Sequence, residues 1–183
     1  MNECIEFQSF PKVPRLNRDM CITEKIDGTN AQVCVLETGE VLAGSRKRWI
    51  TPKDDNFGFA KWVAQNADDL RQLGVGHHYG EWWGSGVQRG YGLNEKRFSL
   101  FNVDRWSDDR PECCSVVPVL YRGPFCTSAI SEVVENLRTF GSQAAPEFMK
   151  PEGVMVWHSA ARHLFKVTLE KDEAPKGLRE VPS

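Results

Sequence analysis

The dipeptide Asp27-Gly28 is a strong turn signal, and it separates two segments whose composition is typical of β-strands. Residues 21–25 come before the turn, and residues 31–36, which contain two β-branched valines, come after it. A second turn at Thr38-Gly39 leads into residues 40–43, which can pair with the preceding segment as a β-hairpin. The start of the chain is therefore predicted to consist of paired strands joined by tight turns.

Two later segments have the apolar spacing of amphipathic helices. The first follows candidate N-caps at residues 54–56, carries apolar residues at helical spacing over residues 59–73, and stops at Gly74. The second follows Thr127 or Ser128 as its N-cap and stops at Gly141. Its predicted buried stripe consists of Ile130, Val133, Val134, Leu137 and Phe140.

Four further segments are predicted to be strands, and they span residues 76–84, 97–105, 153–158 and 163–169. Strands in hairpins with two interspersed helices predict the α+β fold class. The residues by themselves do not determine how many sheets these strands form.

The chain has 183 residues, of which 40% are hydrophobic, and this is enough to bury the core of one domain. We expect that domain to span residues 1–170 and a polar tail to span residues 171–183. No apolar run is long enough to span a membrane, and the acidic N-terminus lacks the pattern of a signal peptide. The sequence therefore predicts a cytoplasmic protein without a membrane partner.

The formal net charge of −2 argues against a protein that coats nucleic acid by bulk charge. Any contact with nucleic acid must therefore be local. The best local patch is the run Arg46-Lys47-Arg48-Trp49, with Lys53 close behind it.

Neither the cysteines nor the histidines are spaced like the ligands of a zinc site. The six cysteines contain no Cys-x-x-Cys pair, and Cys21 and Cys34 lie in apolar strands where they are expected to be core residues. His77 and His78 would point to opposite faces of a strand. We therefore expect the histidines to be structural or surface residues.

Lys25 is the candidate nucleophile. It lies beside the carboxylate of Glu24 and at the mouth of the Asp27-Gly28 turn. A protonated lysine is a poor nucleophile, but burial or nearby cations favour its reactive neutral form. Taken alone, Lys-x-Asp-Gly is a weak signal, because surface lysines in turns are common. Its weight comes from the motifs that follow it in order.

Five motifs follow the Lys25 run: Ser45-Arg46-Lys47-Arg48, Tyr79-Gly80-Glu81-Trp82-Trp83-Gly84, Arg97-Phe98-Ser99-Leu100-Phe101-Asn102-Val103-Asp104, Glu152-Gly153-Val154-Met155-Val156 and Leu164-Phe165-Lys166-Val167. This succession resembles the covalent nucleotidyltransferases, which include polynucleotide ligases and the enzymes that cap messenger RNA. It is most similar to the RNA ligase branch, because Glu24-Lys25-Ile26-Asp27-Gly28-Thr29-Asn30 follows an upstream Phe10-Pro11-Lys12-Val13-Pro14-Arg15. The resemblance covers residues 10–170.

The resemblance implies the nucleotidyltransferase fold of ligase adenylation domains, in which two antiparallel sheets flanked by helices enclose a nucleotide cleft. It also implies the reaction: Lys25 attacks the α-phosphorus of ATP, the adenylate passes to an RNA 5′-phosphate, and a 3′-hydroxyl expels AMP. Each step is an in-line displacement at phosphorus, so positioning and charge neutralisation should carry most of the catalysis. The implied cofactors are ATP and Mg²⁺ or Mn²⁺, the implied partners are RNA ends or a nicked duplex, and the implied setting is RNA repair.

The resemblance also assigns roles to individual residues. Catalytic roles fall on Lys25, Asp27, Arg46, Glu81, Glu152 and Lys166, and Glu152 would be the metal ligand. Nucleotide contacts fall on Glu24, Lys25, Ile26, Asn30, Arg46, Glu81, Phe101, Val154 and Lys166. In these roles Glu81 accepts from a ribose hydroxyl, Phe101 stacks on the base, and Val154 packs beneath it.

For several residues the sequence leaves two possible roles open. Gly28 could permit close backbone approach or supply an unusual dihedral angle, and Asp27 could orient either the turn or the amine. At Glu24, either the carboxylate or the backbone carbonyl could accept from the adenine amino group, which favours ATP over GTP. Phe98 and Phe101 should face opposite sides of their strand, with one of them in the core.

Two departures from the pattern of the family stand out. Asn102 replaces the usual aspartate, which puts a charge-based role there in doubt. Many relatives carry Lys-x-Lys in the last motif, where this chain has Lys166-Val167-Thr168, so either one phosphate-binding charge is missing or Lys171 supplies it from the tail.

Three alternatives stay open at this point. The chain could be the core of a DNA ligase, a capping-type guanylyltransferase, or a module that binds nucleotides or RNA ends without catalysis. Residues 171–183 are too few for the separate C-terminal nucleic-acid-binding domain that larger relatives carry. We therefore expect a self-sufficient core, dependence on an accessory nucleic-acid-binding partner, or an enzyme that adenylates itself but seals poorly.

Overall fold

The computed structural model describes residues 6–170, so the expected tail and Lys171 lie outside the described residues. Within this range the strands are β1 (Asp19–Lys25), β2 (Thr29–Val35), β3 (Val41–Ser45), β4 (Trp49–Ile50), β5 (Gly76–Gly84), β6 (Lys96–Leu100), β7 (Cys114–Val116), β8 (Val119–Pro124), β9 (Gly153–His158) and β10 (His163–Thr168). The helices are α1 (Phe59–Gln65), α2 (Ala67–Leu70) and α3 (Thr127–Phe140), with a 3₁₀ turn at Arg71–Leu73. No helix in residues 6–170 is both long and apolar enough to cross a membrane.

The strands form two sheets. The small sheet has the strand order β10-β9-β1-β8 and is antiparallel throughout. The large sheet has the order β4-β3-β2-β5-β6-β7, and its β6–β7 pair is parallel. The expectation of two purely antiparallel sheets is therefore wrong at this edge. β7 and β8 were not predicted because Pro118 and Pro124 interrupt or end their segments, and proline is a poor indicator of a strand.

Each sheet buries one face beneath a helix. The core of the large sheet joins β-strand residues to α1, and its members include Val33, Trp82, Phe98, Phe59 and Val63. The core of the small sheet joins β-strand residues to α3, and its members include Ile22, Val154, Val156, Val133 and Leu137. Because side chains alternate between the two faces of a strand, the residues between these core positions point to the space between the sheets.

The first predicted helix is present but broken, since α1 ends at Gln65 and α2 begins at Ala67. Its start is stabilised by Asp55, whose carboxylate accepts from the amides of Ala60 at 2.8 Å and Lys61 at 3.1 Å. The broken helix reaches Leu73 in its 3₁₀ turn and stops at Gly74, as predicted.

The second predicted helix, α3, differs from its prediction at its start and in its buried face. Its N-cap is Cys126 rather than Thr127 or Ser128, and Phe140 is 75% exposed instead of buried. Gly141, with a φ of 80°, ends it as predicted.

The strand predicted over residues 97–105 ends earlier, because β6 stops at Leu100. Phe98 is fully buried in the core, whereas Phe101 lies just beyond the strand and is 40% exposed. The expectation that one of these two phenylalanines belongs to the core is therefore confirmed for Phe98. Asn102 begins a turn in which its side-chain oxygen accepts from the Arg105 amide at 3.1 Å.

Candidate active site

Lys25 is the last residue of β1 and is paired with Gly153 of β9. Glu152 immediately precedes Gly153, so this register brings a carboxylate to the lysine amine, and the two side chains form an ion pair. The side chains of Lys25 and Glu152 remain 24% and 20% exposed. The strand pairing therefore joins two expected catalytic residues that are 127 positions apart and leaves them open to a ligand.

The turn after Lys25 packs directly against β5. The Gly28 amide donates to Glu81 Oε1 at 3.1 Å, and Asn30 Nδ2 donates to Glu81 Oε2 at 3.2 Å. A Cβ atom on Gly28 would lie 2.5 Å from the carbonyl oxygen of Trp82. Gly28 is not among the residues with positive φ, so close approach rather than an unusual dihedral angle requires glycine here.

Glu81 is the buried carboxyl group of the site, with 8% of the residue exposed. Burial raises its pKa from 4.5 to about 7, while Lys25 and the Gly28 amide oppose this change. The negative charges of Glu152 and Asp27 raise the pKa further. Near neutral pH the Glu81 side chain is therefore divided between a charged acceptor and a neutral acid.

Arg89 connects the turn after Lys25 to the segment that carries Glu152. Its Nε donates to Asp27 Oδ2 at 3.0 Å. Its Nη1 donates to the carbonyl oxygens of Lys150 at 2.9 Å and Pro151 at 3.4 Å. The Asp27 carboxylate thus interacts with a guanidinium that fixes the turn, which favours the reading in which Asp27 orients the turn.

Glu24 precedes Lys25 and is 1% exposed. Its carboxylate accepts from Ser142 Oγ at 2.5 Å and from the amides of Gln143 at 2.8 Å and Ala144 at 2.9 Å. Burial raises the pKa of Glu24, and these three donors oppose that change. The carboxylate anchors the loop after α3, so it is not placed to contact an adenine, and the backbone carbonyl is the reading that remains.

Lys25 shares one face of the small sheet with several side chains. The register pairs Thr23 with Met155, and Met155 with Lys166, and residues paired across antiparallel strands lie on the same face. Thr23 is two residues before Lys25, so it also lies on the same face. Lys166 is exposed and forms no ion pair with the described residues, so its ammonium group is accessible on this face.

Two residues expected to contact the nucleotide have side chains in the core. Val154 is fully buried in the cluster that packs on α3, and Ile26 is 4% exposed in a cluster with Trp83 and Tyr91. Neither side chain can therefore reach a ligand beside Lys25. The neighbouring Met155 occupies the face on which Val154 was expected.

A cavity of about 420 Å³ lies between the two sheets. Its lining includes Thr23 of β1, Tyr79 of β5 and the exposed ring of Phe101. Lys25 and Glu81 lie two residues further along the same two strands, at one end of this cavity. The exposed Phe101 ring therefore lines the cavity itself, and the amine and the buried carboxyl group lie just beyond the residues that line it.

Arg46 lies apart from this cluster, beyond the end of β3. It lines a second cavity of about 390 Å³ together with Thr29 and Asn56. Among the described residues Arg46 has no hydrogen-bond or ion-pair partner, whereas Arg48 pairs with Asp54. The guanidinium of Arg46 is therefore accessible, but no direct contact joins it to Lys25.

The comparison with protein families identifies the chain. The sequence model of one family, described as RNA ligase, matches residues 18–168. The chain belongs to the RNA ligase family. No curated protein matches the sequence.

Solved structures of RNA ligases from Naegleria gruberi share the fold. A lysine variant without ligand aligns with a TM-score of 0.59 and 18% identity, over 82% of this chain and 49% of that chain. A variant solved with AMP and Mn aligns with a TM-score of 0.60 and 18% identity, over 84% of this chain and 50% of that chain. The present chain therefore spans about half the length of these ligases.

The resemblance implies a divalent metal ion, and the side chains beside Lys25 are the candidates to bind it. Within residues 6–170 no group of three or more Asp, Glu, His or Cys side chains is arranged to hold a metal ion. Mg²⁺ is commonly held by one or two carboxylates together with substrate phosphates and water. The partly exposed Glu152 fits a cation of that kind, which takes its other ligands from the nucleotide.

Sequence reasoning missed Arg89 and Tyr91, which support the site from the loop after β5. The Tyr91 hydroxyl accepts from the Asp27 amide at 2.8 Å, and burial raises its pKa. Tyr91 adopts a positive φ of 53°. The only local signal was the glycine-rich composition of this loop, which indicates irregular backbone but not a contact with a turn 64 residues away.

Proposed function

We propose that the protein is an ATP-dependent RNA ligase that forms a covalent lysyl-AMP intermediate on Lys25. The observation that carries the proposal is the position of the Lys25 amine. It contacts Glu152, interacts electrostatically with the buried Glu81, and lies at one end of the inter-sheet cavity. The proposed activity joins an RNA 5′-phosphate to a 3′-hydroxyl and is consistent with a role in RNA repair.

In the first step the Lys25 ammonium gives up its proton, with the paired Glu152 carboxylate as the adjacent acceptor, and the neutral amine attacks the α-phosphorus of ATP. The P–N bond forms as the P–O bond to pyrophosphate breaks, so the amine must be aligned opposite the leaving group. Glu152 orients the amine through their hydrogen bond, and Arg89 holds the turn after Lys25 against the segment before Glu152. A divalent cation bound at Glu152 would supply positive charge that offsets the charge of the phosphates.

The nucleoside of ATP is proposed to occupy the inter-sheet cavity. Phe101 offers an exposed ring for stacking on the base. Met155, which pairs with Thr23, would pack on the other side of the base in place of Val154. The ionised carboxylate of Glu81 would accept a hydrogen bond from a ribose hydroxyl, since such a carboxylate can only accept. Asn30, which already donates to Glu81, would help to hold this carboxylate in place.

The phosphates are proposed to lie between the two sheets, near the exposed cations. Lys166 shares the face of Lys25 and would neutralise the α-phosphate during both adenylyl transfers. Arg46 lies beside the start of β2, where its planar guanidinium suits a phosphate of the nucleotide or of the RNA. AMP then passes from Lys25 to the RNA 5′-phosphate, and the attacking 3′-hydroxyl finally displaces it.

Three alternative functions are separable by experiment. A DNA ligase core would seal DNA ends in preference to RNA ends, and a capping-type enzyme would form its adduct with GTP instead of ATP. A module that only binds nucleotides would form no covalent adduct with either. The cluster of Lys25, Glu152 and Lys166 favours catalysis over binding alone, because an amine, a carboxylate and an accessible cation share one site.

The test is covalent labelling of the full chain with ATP that carries radioactive α-phosphate, in the presence of Mg²⁺ or Mn²⁺. We expect label on the wild-type protein and none on Lys25→Ala, because the P–N bond needs this amine. Lys61→Ala, which removes an exposed lysine of α1, is the matched control and should label normally. Label that persists in Lys25→Ala, or a wild-type protein that labels with GTP alone, would refute the proposal.

A further inference from the structure

The large sheet carries a row of exposed aromatic side chains on the face opposite its core. The register pairs Trp49 with Gly44, Gly44 with Gln32, and Gln32 with Tyr79. The row continues to Phe101, whose amide donates to the Tyr79 carbonyl at 3.0 Å. One line across the sheet therefore runs from the inter-sheet cavity at Phe101 to the edge strand at Trp49.

The rings in this row are exposed, and neighbouring rings stack on each other. Trp49 is 49% exposed and Tyr79 is 56% exposed, and His77 lies between them. The ring centroids of Trp49 and His77 are 6.0 Å apart, and those of His77 and Tyr79 are 6.1 Å apart with an angle of 11°. The His77 ring is held by Gln32, with 3.0 Å between Nδ1 and Oε1. We call Trp49, His77 and Tyr79 the aromatic platform.

Cations lie next to the outer end of the aromatic platform. Arg46 and Lys47 form the tip of the β3–β4 hairpin, where the Ser45 amide donates to the Arg48 carbonyl. Arg48 is neutralised by Asp54, but Arg46 and Lys47 have no ion-pair partner among the described residues. Although the whole chain has a net charge of −2, two unpaired positive charges lie next to the three exposed rings.

We infer that the aromatic platform binds an unpaired stretch of the RNA substrate, with bases stacked on Trp49, His77 and Tyr79 and a phosphate held by Lys47. This inference rests on the proposed function and adds the kind of RNA that the enzyme takes. Stacked rings with adjacent cations match single-stranded nucleic acid, whose bases are free to stack and whose backbone is anionic. The bases of a duplex are already stacked on each other, so a duplex end does not fit the platform in this way.

The geometry connects the aromatic platform to the active site. Neighbouring strands of a sheet are about 4.8 Å apart, so four strand spacings separate Phe101 from Trp49 by about 19 Å. His77 and Tyr79 also line the inter-sheet cavity, so the platform begins at the mouth of the cavity and only its Trp49 end lies outside. A strand that enters along the platform therefore meets the cavity at Tyr79, which lies two residues before Glu81 on β5.

The test is the binding of a short, fluorescently labelled single-stranded RNA to the full chain, followed by fluorescence anisotropy. Base–aromatic stacking of the strength seen in other proteins predicts that Trp49→Ala weakens binding about tenfold, while Trp49→Phe retains most of it. Phe140→Ala removes a ring on α3 that is 75% exposed, more than the 49% of Trp49, and should bind as the wild type. Lys47→Ala should lower the slope of log affinity against log salt by about 0.7, the value for one phosphate contact on a single strand.

Two further readouts separate this inference from the proposed function. Trp49→Ala should form the lysyl-AMP adduct from ATP alone at the wild-type rate, because Trp49 lies outside the inter-sheet cavity. RNA binding should also quench tryptophan fluorescence in the wild type, and Trp49→Phe should lose that part of the quenching. If the wild type forms no adduct, the proposed function fails, whatever the RNA result.

The inference itself is overturned by any of three results with an adduct-forming wild type. These are wild-type RNA affinity in Trp49→Ala, tighter binding of blunt duplex RNA than of the single strand, and the absence of measurable single-strand binding. If the platform instead serves to bind a protein partner, we expect no measurable binding of single-stranded RNA.

Discussion

Replacing Glu81 with glutamine should remove a specific pH dependence of stability. Burial raises the pKa of Glu81 from 4.5 to about 7, so the folded protein binds a proton that the unfolded chain releases. Stability from this group is therefore fully present below about pH 4.5 and is lost as the pH rises through about 7. Glutamine has no proton to lose in this range, and it keeps the size of the side chain.

The size of the effect follows from the pKa difference. One pKa unit corresponds to about 1.4 kcal/mol, so the change from 4.5 to about 7 corresponds to about 3 kcal/mol. Glu81 is 8% exposed, so solvent screening reduces this value little. Relative to Glu81→Gln, the wild type should thus lose about 3 kcal/mol of unfolding free energy between pH 4.5 and a pH well above 7.

The assay is urea unfolding of the wild type and Glu81→Gln at several pH values between about 5 and about 8. The difference between the two proteins is the measured quantity, because carboxyl groups that do not interact with Glu81 contribute equally to both. We expect the wild type to lose stability relative to the variant across this range. Parallel pH profiles for the two proteins would show that Glu81 titrates normally, and the argument from its burial would fail.

Two further predictions concern residues that position the turn after Lys25. Arg89→Ala should slow single-turnover adduct formation by about tenfold, the scale of one lost orienting contact, with little change in ATP affinity. Arg138→Ala, which breaks a surface ion pair, is the control. Equal rates of adduct formation in the two variants would refute the positioning role of Arg89. Gly28→Ala should lower the unfolding free energy by about 1–3 kcal/mol, because its Cβ would meet the Trp82 carbonyl oxygen at 2.5 Å. Gly92→Ala is the control, because its Cβ would meet nothing within 4 Å although its φ is +67°. It should cost only the roughly 1–2 kcal/mol of a left-handed backbone. A smaller loss of unfolding free energy for Gly28→Ala than for Gly92→Ala in urea unfolding would contradict the predicted clash.

Local sequence signals predicted much of the fold correctly. The turn at Asp27-Gly28, the hairpin behind it and the helix stop at Gly141 were all recognisable, because turn residues and apolar periodicity act over a few residues. The parallel β6–β7 pair was not recognisable, since its strand at Cys114–Val116 is three residues long and no local pattern specifies its partner.

The sequence also predicted some features of the candidate site correctly and missed others. The resemblance gave Lys25 and Glu152 catalytic roles without pairing them, and the strand register of β1 and β9 brings the two side chains together. The side chains of Val154 and Ile26 lie in the core. For Val154 the reason is strand parity, because a shift of one residue along a strand moves a side chain to the opposite face. Motif spacing alone does not show which face of the strand a residue occupies when the strand has apolar residues on both faces.

The sequence by itself determined that a lysine would stand between a strand and a tight turn, within a chain of the RNA ligase family. The tertiary structure decided which carboxylate serves which purpose: Glu24 anchors a loop, Glu81 is buried with a raised pKa, and Glu152 pairs with Lys25. The physical reason is that residue type and turn chemistry are local properties. Burial and cross-strand pairing depend on residues far away in the chain, and these long-range contacts set the charge and the accessibility of each group.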